Sequence, residues 1–474
     1  MRSPFYISTR GQSQPLSFED ILLKGLAPDG GLYLPDFSDD EMKNLVNIDD
    51  LRGKNYAETA YRIIMPFVNG SPHINNRDLA SICDQVYSEK TFDHSAVAPL
   101  KQLDNNLWGL ELFHGPTFAF KDYALQLVGK MFDHVLKQKN ERLTIVGATS
   151  GDTGSAAIHA VGETENIRIF MLHPYKKISD MQRKQMVTVN NKNVYNLAVN
   201  GNFDDCQNIV KSLFGDDELN KTVNLGAVNS INFARILAQI VYYFYSGINL
   251  AADKRDIDFV VPTGNFGNIF AAFLSKKMGL RINRLLIASN SNDILPRFIR
   301  SGIMQKKEGI ASLSPSMDIQ ISSNFERLLY YAANKNTVTV RRLMEQFKET
   351  GAFTADDDIT ENIRQTFSAV SVNDEETLAS IRETYNKCKE IIDPHSAVAI
   401  AAARRHIGTA AFPVVATMTA HPAKFIATVK KAIDVQPQMP ESLKRLETLN
   451  EKYDIIENDV SAVKNYIIKN QPSA

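Results

Sequence analysis

The residues best suited to chemistry gather at three points where a short apolar run gives way to a helical one. At the first, His114-Gly115-Pro116-Thr117 leads through Phe118-Ala119-Phe120 to Lys121-Asp122-Tyr123, so a lysine meets the start of a helix among aromatic rings. A cation there opposes the helix dipole, and burial beside Phe118, Phe120 and Tyr123 lowers an amine's pKa, as a Schiff-base amine requires. Taken alone, the segment reads equally as a surface lysine laying its stem over the rings. At the second point, Gly147-Ala148-Thr149-Ser150-Gly151-Asp152-Thr153-Gly154 runs into an Ala-rich helix. Free N–H groups and hydroxyls in such a turn suit an anion such as a carboxylate. A plain turn with Asp152 or Ser150 as N-cap accounts for the same residues. At the third, Thr263-Gly264-Asn265-Phe266-Gly267-Asn268 precedes an apolar helix at 269–277, and two glycines bracketing polar residues suit a phosphate cradle. The run has neither G-x-G-x-x-G spacing nor a Walker lysine, which argues against a dinucleotide or ATP by those routes.

These junctions need strands to carry them. Short aliphatic runs at 107–112, 143–146, 168–172, 194–199, 222–225, 259–261, 285–288 and 413–417 alternate with longer periodic segments such as 119–136 and 152–161. Strands apolar on both faces and spaced by helices predict an α/β fold with parallel sheets, whose sites lie at the carboxyl ends of the strands. Residues 1–95, with helical periodicity at 18–25 and 56–67, read as a separate, mostly helical N-terminal domain. A first α/β domain is expected at 96–228 and a second at 229–474. The second carries a helical insertion at about 296–390, where strands vanish and 324–333, 340–349 and 374–389 read as charged helices.

At roughly 150 residues per domain, 474 residues fit about three domains. Lys and Arg number 53 against 54 Asp and Glu, a net charge of -1 that leaves no electrostatic footprint for nucleic acid or an anionic membrane. No run approaches the ~18 apolar residues of a membrane span. The cysteines, Cys83, Cys206 and Cys388, stand far apart, and the histidines form no metal motif, so no metal is expected. The N-terminus has no apolar leader, and the reading is a cytoplasmic protein with reduced thiols and a small-molecule partner. Lys176, Lys177, Arg183 and Lys184 read as a solvated face that could also steer anions. Trp108 and the Tyr242 to Tyr245 cluster read as core, and His421 and Lys424 as shaping the helix that follows them.

Together the three junctions resemble the threonine synthase family. The resemblance extends through Tyr6-Ile7-Ser8-Thr9-Arg10-Gly11 and Gly25 to Tyr33, as in the longer bacterial and fungal form, and through Asn229-Ser230-Ile231-Asn232 with Arg235, Asp393-Pro394-His395-Ser396 and Thr419 to Phe425. It implies two parallel-sheet α/β domains of the tryptophan synthase β type and pyridoxal 5′-phosphate as cofactor. The implied reaction turns O-phospho-L-homoserine and water into L-threonine and phosphate. Carried over residue by residue, Lys121 binds the cofactor and then moves protons. Gly264, Asn265, Phe266, Gly267 and Asn268 wrap the cofactor phosphate, and Ser150, Asp152 and Thr153 face the cofactor hydroxyl and the substrate carboxylate. Asn229, Ser230 and Arg235 grip the substrate phosphate, and Thr419 stands opposite the pyridine nitrogen. Without the resemblance, Asn229 to Arg235 reads as a capped helix with a solvated arginine. Two rival readings keep the fold: a phospho-lyase releasing 2-oxobutyrate, and a catalytically silent homologue. The assembly is expected to be a monomer or a small homo-oligomer.

Overall fold

The computed structural model describes residues 2–149, 151–251 and 255–471. Two parallel sheets organise it. The first has six strands in the order Phe367–Ser371, Ile282–Ser289, Ile257–Pro262, Val414–Met418, Leu107–Glu111 and Leu100–Asp104, with only the last running antiparallel. The second is parallel throughout, in the order Asp454–Ile456, Val194–Val199, Ile167–Pro174, Leu143–Ala148 and Leu225–Gly226. The central strands Ile257–Pro262 and Val414–Met418 are buried at every residue, as expected for apolar runs covered by helices on both faces.

Neither sheet comes from one continuous stretch. The six-stranded sheet takes residues 100–111 from before the expected division at 228, and the five-stranded sheet takes 454–456 from after it. Two local expectations are corrected. At 222–225 a helix, Asp217–Val223, N-capped by Asp216 and closed by the left-handed Asn224, runs into a two-residue strand. Within 296–390 strands do occur: Ile303–Gln305 pairs with Ala352–Thr354, and Phe367–Ser371 edges the large sheet. These are only three to five residues long and partly exposed, too short to declare themselves among charged helices.

The N-terminal segment is mostly helical, with Phe18–Lys24, Tyr56–Val68 and Asn76–Val86 around a small pair of strands, Tyr6–Ser8 and Tyr33–Pro35. It is anchored rather than appended. The buried Tyr6 donates its hydroxyl to the Phe67 carbonyl at 2.7 Å and packs its ring on Phe233, at the start of helix Phe233–Ala251.

The helix that begins at Lys121, Lys121–Lys139, lies against Asp152–Val161, and Gly129 permits the approach: a Cβ there would stand 2.6 Å from the Ala160 carbonyl. Two of the three junctions are thereby clamped side by side.

Candidate active site

Lys121 is the first residue of its helix, and its side chain is 12% exposed. The loop before it is stitched to the end of strand Val414–Met418: Phe120 N–H donates to the Thr419 carbonyl at 2.9 Å and His421 N–H to the Phe118 carbonyl at 3.1 Å. Thr419 is therefore backbone-paired to the residue before Lys121. Its own N–H donates to Ser396 Oγ at 3.1 Å, and Ser396 is in turn bonded to the buried Asp393, which also holds His395 Nδ1 at 2.8 Å. Asp122 points back into the loop and accepts from Thr117 N–H and Thr117 Oγ1, both at 2.8 Å; burial raises its carboxyl to about 6. This explains why a carboxylate follows the lysine: it ties down the turn.

In the second junction Asp152 is the first helical residue and not the cap. Thr149 Oγ1 accepts from the N–H groups of Gly151 and Gly154, each at 3.0 Å, and Gly151 occupies the N-cap position without a side-chain bond. Asp152 is thus released from capping. Its carboxylate lies 3.3 Å from Lys121 Nζ, 2.6 Å from Lys424 Nζ and 2.8 Å from Gln182 Nε2. Burial works against ionisation, yet Lys121, Lys424 and the hydrogen bonds hold the carboxyl well below the usual range. Burial in turn lowers Lys121; Asp152 opposes that shift, while Lys424 and Arg235 add to it. Thr153 sits half-buried in the same first turn, and Ser150 lies outside the described residues.

The third junction places Gly264 to Asn268 at the N-terminus of Gly267–Lys277, which has no side-chain cap. Phe266 is held at a φ of 64°, a left-handed conformation unfavourable to a side chain, by packing its ring against Phe325 and Phe367. A Cβ on Gly264 would meet the Ser316 carbonyl at 3.0 Å, so the loop passes close under 314–317. Asn268 Oδ1 accepts from the hydroxyls of Tyr242 at 2.5 Å and Tyr243 at 2.7 Å, while its buried Nδ2 has no partner. The tyrosines expected to be plain core therefore aim an amide donor. The uncapped helix end and the orphan Nδ2 fit a phosphate.

Arg235 is a second buried donor left unsatisfied at the site. It is 5% exposed, its Nε has no partner, and its Nη1 reaches only the Val228 carbonyl at 3.5 Å. Burial pushes it down to about 10. Asn229 and Ser230, both half-buried, form the turn before its helix. Asn324, fully buried, joins this turn to the phosphate loop: its Nδ2 donates to the Ser230 carbonyl at 3.0 Å and the Asn265 carbonyl at 2.9 Å.

With this geometry in place, the likeness to known proteins is specific. Residues 5–87 match the family described as threonine synthase N terminus, 94–418 the pyridoxal-phosphate dependent enzymes, and 396–467 the threonine synthase C-terminal family. The threonine synthase of Pseudomonas aeruginosa is 46% identical over 98% of this chain and 97% of its own. The chain belongs to the threonine synthase family. The Saccharomyces cerevisiae member is 41% identical over 98% of both chains. A crystal structure of pyridoxal-phosphate-bound threonine synthase from Brucella melitensis superposes with a TM-score of 0.93 at 46% identity, covering 99% of this chain and 100% of that one. The threonine synthase fold, with its parallel sheets and pyridoxal-phosphate dependence, is the one found here. Among the described residues no helix is long and apolar enough to cross a membrane, and no cluster of His, Cys, Asp or Glu could hold a metal.

Among the described residues, hydrogen bonds tie Lys121 to Asp152, the loop before Lys121 to Thr419, and the turn at Ser230 to the loop at Asn265, with two residues added to those read from the sequence. Lys424, read as shaping the helix that follows it, also reaches into the site: its side chain is fully buried and its Nζ donates to the Thr117 carbonyl at 2.8 Å and to Asp152 Oδ1 at 2.6 Å. Asn324 gave no local signal at all. The basic run divides: Lys176 and Lys177 lie in the turn before helix Asp180–Val187, and Arg183 is paired with Glu451 and Asp180.

Proposed function

We infer that this chain converts O-phospho-L-homoserine and water into L-threonine and inorganic phosphate. The observation that carries this reading is Arg235, a buried guanidinium with an unpartnered Nε on the helix that follows the Asn229–Ser230 turn, which Asn324 ties to the loop at Asn265. A buried arginine without a carboxylate is costly, and a phosphorylated substrate removes the cost while orienting the leaving group.

Pyridoxal phosphate, when bound, supplies the electron sink that makes the hydrogens near the substrate amine acidic. Gly264, Asn265, Phe266, Gly267 and Asn268 would hold its phosphate on backbone N–H groups and Asn268 Nδ2. Lys121 would hold its carbonyl carbon, and Thr419 would offer a hydroxyl, not a carboxylate, to its ring nitrogen. Lys121 Nζ is the amine free to move protons at the substrate's Cα and Cβ, since Lys424 Nζ is tied to both Asp152 and the Thr117 carbonyl. Ser150, Asp152 and Thr153 orient the substrate carboxylate and the cofactor hydroxyl. Asn229, Ser230 and Arg235 bind the phosphate and neutralise it as it departs. We further propose a cytoplasmic monomer or small homo-oligomer without nucleic-acid or membrane partners. Its units are an N-terminal one at 1–95 and α/β units at 96–228 and 229–474 that exchange the strands noted above.

Incubation with O-phospho-L-homoserine should yield threonine and phosphate in equal amounts. Accumulation of 2-oxobutyrate in place of threonine would make the chain a phospho-lyase. Borohydride treatment should remove the visible cofactor band and label Lys121 in the digested protein; an unlabelled Lys121 would refute its role.

A further inference from the structure

Asp152 accepts from two lysines that differ in freedom. Lys121 Nζ has Asp152 at 3.3 Å as its one hydrogen-bonded partner among the described residues, and its side chain is 12% exposed. Lys424 has no exposed side-chain surface, and its ammonium is shared between Asp152 Oδ1 at 2.6 Å and the Thr117 carbonyl at 2.8 Å. Thr117 is itself fixed by Asp122 and by Gln185, whose Nε2 donates to the same carbonyl at 3.0 Å. Gln182 completes the shell at 2.8 Å from Asp152 Oδ1. Lys121, as the residue that would hold a cofactor's carbonyl carbon, would not be a fixed ammonium counter-ion. Lys424 has no such alternative partner and no room to leave.

We propose that Lys424 is a positioning residue: anchored between Asp152 and the Thr117 carbonyl, it is the permanent counter-ion that keeps Asp152 an oriented anion while Lys121 changes its bonding. This rests on Lys121 being the reacting amine. Besides Lys121 and Lys424, the ionisable groups near this cluster include Asp122 beside Lys121, His159 on the Asp152 helix and Arg235.

The test is a double-mutant cycle on the holoenzyme with Lys424→Met, Asp152→Asn and both together. It reads pyridoxal phosphate affinity, the visible spectrum of the bound cofactor and urea unfolding from pH 5.5 to pH 9. Lys424→Met strands a buried carboxylate, so cofactor affinity at high pH should fall by roughly 30-fold or more. The deficit should narrow as pH falls, because folded Asp152 then takes up a proton that removes the unpaired charge. A pH-dependent spectral change absent from the parent should accompany it. Asn at 152 needs no counter-ion, so the double variant should lose the pH dependence and recover affinity to within about tenfold of the parent. A Lys424→Met variant with the parent's affinity and pH response overturns the proposal, as does a double variant as impaired as the single one. If Lys424→Met alone does not fold, a folded double variant supports the counter-ion role and an unfolded one assigns Lys424 to packing. Borohydride labelling of Lys121 in the parent is scored separately, so failure of the Lys121 assignment is distinguishable from failure of this one.

Discussion

The two ends of the site are built on opposite rules. At the lysine end the charged groups are matched inside the protein: Asp152 has Lys121, Lys424 and Gln182, and Asp122 has Thr117. At the anion end, donors are buried and left over, with Arg235 Nε and Asn268 Nδ2 lacking any partner. A buried unpaired donor costs about 1 to 3 kcal/mol, more when charged, and at this end of the site an anionic ligand would complete both. Matched groups position, and unmatched groups bind.

Substitutions can break that contrast. The largest effect should come from Lys121→Ala, which removes the one loosely held amine and should abolish turnover while circular dichroism stays that of the parent. Measurable threonine formation by this variant would show that the matched end also holds a second reacting amine.

Arg235→Leu tests the unmatched end. Losing a charge-assisted contact to a dianion costs ~2 to 5 kcal/mol, so kcat/KM for O-phospho-L-homoserine should fall roughly 30-fold to several thousand-fold. Activity on an unphosphorylated analogue such as serine should change far less, and inhibition by phosphate should weaken. A uniform loss on both substrates would move Arg235 to the structural class.

Asn324→Ala should act on both anion loops at once, because one amide donates to the Ser230 and Asn265 carbonyls. Two acceptors lose a donor, at about 1 to 3 kcal/mol. Cofactor affinity and substrate KM should each worsen by about tenfold, with Asn324→Asp no better, since a carboxylate cannot donate to either carbonyl. A change in only one of the two would show that the loops are positioned independently.

The smallest effect on catalysis is expected at His114, a matched group held at 2.7 Å by both Asp93 and Glu111. Burial alone would lower its pKa, but the two carboxylates raise it from 6.5 to about 9. Its pairing therefore stabilises the fold fully below pH 6.5 and is lost as the pH rises through about 9. His114→Gln should lower stability by about 2 kcal/mol at the acid end of that window and by little at the alkaline end, leaving cofactor affinity near the parent's. Urea titrations across the window check this; a deficit independent of pH would mean that the ring is held by packing and not by charge.

How much was legible in advance follows from the range of the interactions involved. Strand Val194–Val199 and helix Asp152–Val161 stand at the positions their apolar patterns predict, and Lys121 opens its helix as read from the residues before it. Hydrophobic periodicity and backbone hydrogen bonding act over a few residues, so the sequence alone determines such elements and the junctions between them. Even at that range the residues leave alternatives, because Ser, Thr and Asp are near-equal acceptors: the turn geometry gives the N–H groups of Gly151 and Gly154 to Thr149 Oγ1 and leaves Asp152 free to face Lys121. The partner of a buried polar group is decided at another scale. Lys424 meets Asp152 across 272 positions, and Asn324 meets Asn265 and Ser230 across 59 and 94. Nothing local distinguishes these residues from a helix-end lysine or a surface amide. Only the packing of the two sheets and the helices around them buries the groups together, where each must be paired or be left waiting for a ligand.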